Sequence, residues 1–75
     1  MIGAIREQHL IQSKQHIALG QRQIDSQREL IARLEIGGHD SFEARRLLAQ
    51  FEEMQALHVA SRDRLLIELT GTSSR

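Results

Sequence analysis

No proline interrupts this chain, and between Ala4 and Thr70 its only glycines are Gly20 and the adjacent pair Gly37-Gly38. That spacing leaves two uninterrupted stretches of about thirty residues on either side of one strong breaker, each far longer than the mean globular helix of about 11–12 residues. Gln, Arg, Glu, Leu and Ala fill both stretches, and β-branched residues never form the alternating runs a strand requires. The expected fold is therefore all-α: an antiparallel, coiled-coil-like two-helix hairpin, with helix 1 over about 4–36, a turn at 37–40, helix 2 over about 41–70 and a flexible tail at 71–75.

The turn carries its own signals. Gly37 is expected to take the left-handed conformation that closes a helix, and Gly38 to let the chain reverse. Asp40 followed by Glu43 reads as a capping box, with both carboxylates at the positive end of the helix dipole and Ser41 as an alternative cap. Thr70-Gly71 reads as the C-terminal stop.

Apolar spacing then assigns faces. Leu10, Ile17, Ile24 and Ile31 recur every seven residues and form one stripe along helix 1. Its flanking columns are weaker, with Arg6, Ser13, Gly20, Gln27 and Leu34 on one side and Ile2, His9, His16, Gln23 and Leu30 on the other. Helix 2 is richer: Leu47, Leu48, Phe51, Met54, Leu57, Leu65, Leu66 and Leu69 span a face wider than one such partner helix can fill. A tight turn predicts Ile31 near Leu47, Ile24 near Met54, Leu10 near Ile67, and Gly20 opposite Leu57 or His58. Glycine at that point costs about 1 kcal/mol relative to alanine, which a close helix approach or a side chain packed onto it would offset; the alternative is that Gly20 is a weak point.

Seventy-five residues make at most one domain, and near this size one core rarely supplies more than about 3–5 kcal/mol of net stability. With no cysteine, disulfides and thiolate metal sites are excluded, and oligomerisation is the expected source of additional stability. Two hairpins pairing into a homodimeric four-helix bundle would bury the surplus, through an interface of Leu10, Ile17, Ile24, Ile31, Leu48, Phe51, Leu57 and Leu66. On that reading Leu57→Asp places a charge in the core, dissociating the assembly and largely unfolding the chain.

Charge excludes some roles and leaves others open. Ten basic residues balance ten acidic ones, so no net field draws in nucleic acid or anionic lipid. Basic clusters occur only at Arg45-Arg46 and Arg62/Arg64, beside Glu43, Asp63 and Glu68, and Phe42 and Phe51 read as structural rather than as stacking platforms. Gly37-Gly38-His39-Asp40 puts a carboxylate where a phosphate loop would hold its anion. Glu29 with Arg33, and Arg64 with Glu68, have the spacing of helix-surface ion pairs. Glu52-Glu53 reads as a solvated face with no cleft for acid–base work. Two of the four histidines, His9 and His16, share a face with His58 expected across the hairpin, but they stand about 10 Å apart along the axis, too far to chelate one ion. They read as residues at the seam edge; if two met in an oligomer core, protonation near pH 6 would loosen it. No catalytic, cofactor or metal site is expected, and the chain does not read as an enzyme. The start of the chain lacks a basic segment leading into an apolar run, no eighteen apolar residues occur in succession, and the early glycine stands at position 3, one place too late for myristoylation. A cytoplasmic protein is the expectation.

From Ile31 onward the runs Ile-Ala-Arg-Leu-Glu, Gly-His-Asp, Ala-Arg-Arg-Leu-Leu-Ala-Gln-Phe-Glu and Arg-Asp-Arg-Leu-Leu-Ile-Glu-Leu together resemble a group of short bacterial helical-hairpin proteins of unknown function. The resemblance covers about half the chain and implies a bacterial cytoplasmic origin, without activity or cofactor. The leading functional expectation is a non-enzymatic interaction or scaffold module, partnered by a second copy or by another cytoplasmic protein. A small regulator binding transcription machinery or nucleic acid through Arg45/Arg46 and Arg62/Arg64 is the alternative, and a metal- or small-molecule-binding bundle the third.

Overall fold

A computed structural model describes residues 2–71, with side chains from Ala4 onward. Helix α1 runs over Ile2–Ile36 and α2 over Phe42–Thr70, with no strand among the described residues. The two helices pack against each other along their length, giving a hairpin of 54 × 22 × 13 Å.

The reversal is a Schellman closure with Gly38, not Gly37, at its left-handed position. Gly38 has φ 75°, its N–H donates to Glu35 O at 3.1 Å, and the His39 N–H donates to Leu34 O at 2.8 Å. Gly37 keeps a negative φ because its N–H still donates to Arg33 O at 3.0 Å, which continues the helical ladder for one more residue. The expected capping box does not form either. Asp40 Oδ1 accepts from the Phe42 N–H at 2.9 Å, a turn of two residues, and the Glu43 carboxylate lies 3.8 Å from Arg46 instead of reaching back. Ser41 occupies the cap position without a side-chain cap bond; its hydroxyl donates to Glu35 Oε2 at 3.0 Å and accepts from Arg45 Nε at 3.2 Å. Arg45 also pairs directly with Glu35, so the turn is tied by one arginine, one serine and one glutamate. At the far end Gly71, with φ 67°, closes α2 by donating to Ile67 O. The rest of the tail expected to be flexible, 72–75, lies outside the described residues, as does Met1.

Burial along the two helices follows a heptad that includes its polar members. On α1 the covered positions are Leu10, Ser13, Ile17, Gly20, Ile24, Gln27, Ile31 and Leu34; on α2 they are Ala44, Leu48, Phe51, Gln55, His58, Arg62, Leu65 and Leu69, with Val59 beside them. Steps of three and four alternate without a break, as a 3.5-residue repeat requires. Among the described residues only Ile24 and Ile31 are buried apolar side chains, and the two other buried side chains are both glutamines.

Those glutamines correct the expected register. Gln55 donates from Nε2 to Ile17 O at 2.8 Å and lays its amide over Gly20, where an added Cβ would stand 2.1 Å from Oε1. Gln27 donates to Ala44 O at 2.9 Å. Gly20 therefore faces Gln55, not Leu57 or His58, and the amide on it supplies the side-chain packing its cost called for. Leu47, Met54, Leu57 and Ile67 fall outside the covered heptad of α2 and stand exposed. Of the expected pairs Ile31 with Leu47, Ile24 with Met54 and Leu10 with Ile67, the α2 member of each is exposed instead of seated in the seam. The physical reason is local: a buried amide needs a partner, and a backbone carbonyl beside a glycine offers both an acceptor and the space to reach it.

Candidate interaction surface

Successive residues rotate by 100°, so the positions just before Ile24, Ile31, Leu48 and Gln55 lie on one flank of the seam, and those just after Gln27, Leu34, Ala44 and Phe51 lie on the other. The two flanks differ in chemistry. The second is closed by charge: Arg28 meets Glu52 at 3.0 Å, and Glu35 meets Arg45. Hydrogen bonds from Arg45, and then from Ser41, hold the Glu35 carboxyl below the ordinary glutamate range.

The first flank is an open groove of about 800 Å³ between the helices, lined mainly by Leu19 and Gly20 on α1 and by Phe51, Met54, Gln55 and Leu57 on α2. Leu19 is 54% exposed, Met54 56% and Leu57 68%. Leu30 and Leu47 continue the same flank toward the turn, and both remain exposed. At the groove floor Gln55 Oε1 is buried without a hydrogen-bond partner among the described residues. His16 and His58 close the groove at its other end, meeting edge to face with ring centroids 5.3 Å apart and planes inclined by 71°. Beyond them a smaller polar recess includes His9, Arg64 and Glu68. His9 and His16 thus share a flank, and His58 meets His16 within one hairpin; among the described residues no three potential metal ligands converge.

The residues expected to form an interface fall into two groups. Leu10, Ile17, Leu48 and Phe51 are half-buried and Ile24 and Ile31 buried within the single hairpin, so these six already serve the seam. Leu57 and Leu66 stand exposed, Leu66 on the charged flank and Leu57 in the groove. Leu57 is consequently not a core residue of the chain itself. Sequence reasoning placed Gln27 in a column flanking the stripe but missed Gln55 as a seam residue because on α2 it followed apolar character; the unbroken three-four spacing of Ala44, Leu48, Phe51, Gln55, His58, Arg62, Leu65 and Leu69 carried the signal.

The arginines of the basic clusters are mostly engaged. Arg45 faces Glu35, Arg46 lies 3.8 Å from Glu43, and Arg62 lies 3.0 Å from Asp63 while half-buried in the seam. Arg64 has no ion pair among the described residues: the expected Arg64–Glu68 pair does not form, because Glu68 turns across the seam to Arg6 at 3.8 Å. Glu29 and Arg33 do approach, to 4.0 Å. No helix among the described residues is long and apolar enough to cross a membrane. No protein-family model matches the chain, and no curated protein or solved structure matches it.

Proposed function

We propose that this chain is a non-enzymatic protein–protein interaction module that works as a self-associating helical hairpin, its functional unit a homodimeric, coiled-coil-like four-helix bundle. One observation carries the reading: among the described residues two apolar side chains are buried, while eleven large ones remain exposed. Area supports it. A folded monomer of 8.6 kDa is expected to expose about 4,700 Å², whereas this hairpin exposes 5721 Å². The excess of roughly 1,000 Å² is close to the ~800 Å² per partner that a standard protein interface covers. A bacterial, cytoplasmic setting belongs to the same proposal and rests on the sequence alone.

The regulator reading draws less support, since three of its four arginines already face carboxylates. The test is the concentration dependence of thermal unfolding. Mass action makes the midpoint of a folding-coupled dimer rise with protein concentration. A midpoint unchanged over a hundredfold dilution refutes the proposal.

A further inference from the structure

We infer that the occupant of the apolar groove is a second copy of this chain, related by a two-fold axis that runs along the hairpin within the interface, so that α1 of each copy lies over α2 of the other. The inference rests on the self-association proposed above and specifies its face and orientation.

The flanks decide the face. On the charged flank the cross-helix gap is already spanned by Arg28 with Glu52 and Glu35 with Arg45, so covering it would desolvate formed ion pairs. The groove flank offers Leu19, Met54 and Leu57, each more than half exposed, on either side of a buried, unpartnered Gln55 oxygen. Burying apolar surface there removes it from water without breaking any ion pair among the described residues.

The rims decide the orientation. Residues level with each other on the two helices have numbers adding to 75 at Gly20 and Gln55, and to 74 at His16 and His58. Arg22 and Glu53 are level by the same measure. Glu53 lines the groove from α2, Arg22 lines a smaller recess on α1 that shares Leu19, Gln23 and Phe51 with it, and neither has an ion pair among the described residues. An axis along the hairpin exchanges left and right while keeping height. Arg22 then faces Glu53 of the partner subunit, Glu53 faces Arg22 of the partner subunit, and Leu19 stands over Leu57 of the partner subunit. An axis across the hairpin would instead stack α1 on α1 and bring like rims together. Charge complementarity therefore selects the first arrangement, and an isologous interface forms every such contact twice.

The test measures the dimer dissociation constant of the full chain by sedimentation for native protein, Arg22→Glu, Glu53→Arg, the double reversal and Leu57→Asp. Ala32→Glu, on the opposite flank, serves as control. Each single reversal creates two like-charge contacts and is expected to weaken the dimer roughly tenfold, while the double variant returns to within about threefold of native. Leu57→Asp is expected to abolish the dimer, and Ala32→Glu to leave it unchanged. A native chain that is monomeric at every concentration overturns the self-association reading itself. A native dimer that tolerates Leu57→Asp overturns the face, and a double reversal as weak as the singles overturns the orientation.

Discussion

Gly20→Ala tests the seam where it is most specific. The added methyl would stand 2.1 Å from Gln55 Oε1 and 3.0 Å from its Cδ, so the amide must leave and surrender its bond to Ile17 O. Alanine gains about 1 kcal/mol of helix propensity over glycine. Against that gain stand about 1 kcal/mol for the lost hydrogen bond and about 1–3 kcal/mol for forcing a methyl into filled space. The net expectation is a loss of about 1–3 kcal/mol, a fall in Tm on the order of 5–20 °C for a domain of this size. In a Gln55→Ala background the obstruction and the bond are both gone, so the same change should stabilise by about 1 kcal/mol. The sign reverses, and the cycle returns a coupling of about 2–4 kcal/mol. Thermal unfolding of the four proteins, followed by far-ultraviolet circular dichroism at one fixed protein concentration, measures it. If Gly20→Ala raised Tm in both backgrounds, the amide would not occupy the space over Gly20, and the register derived from it would be wrong.

Three further outcomes follow from the same geometry. Gly38→Ala should cost about 1–2 kcal/mol, because only Gly38 of the turn pair holds a positive φ, whereas Gly37→Ala should stay within about 0.5 kcal/mol of native in urea unfolding. Ile24→Ala should remove about 2–5 kcal/mol, enough to leave circular dichroism of a largely unfolded chain, while Ile11→Ala, at an exposed site, changes little. The Glu35 carboxyl, held low by Arg45 and Ser41, lends stability that is fully present above the ordinary glutamate range and is lost as pH falls through its own depressed midpoint. A carboxyl NMR titration should show that midpoint rising in Arg45→Ala; an unmoved midpoint would refute the clasp.

Much of the architecture was legible because it depends on features that act locally. Long stretches free of proline, the double glycine and the sevenfold recurrence of Leu10, Ile17, Ile24 and Ile31 specify two helices and one stripe, and the helices span Ile2–Ile36 and Phe42–Thr70. The turn was legible in outline only. Which glycine turns left-handed depends on where the last helical N–H finds its carbonyl, and the Asp40 carboxylate accepts from the Phe42 N–H instead of one nearer Glu43. The rotation of α2 was hidden for a different reason. Leucine count favoured a seam through Leu47, Met54 and Leu57, but Gln27 and Gln55 could bury their amides only where a carbonyl accepted them, and Gly20 provided the space. Polar satisfaction outweighed apolar count, and the displaced leucine and methionine side chains became the groove.

Sedimentation equilibrium of the full chain, from micromolar to near-millimolar concentration, bears most directly on the central claim that these helices need a second copy. The account predicts a mass approaching twice 8.6 kDa as concentration rises, with helicity falling as the dimer dissociates. A chain that stayed at 8.6 kDa throughout, fully helical and thermally robust, would contradict it.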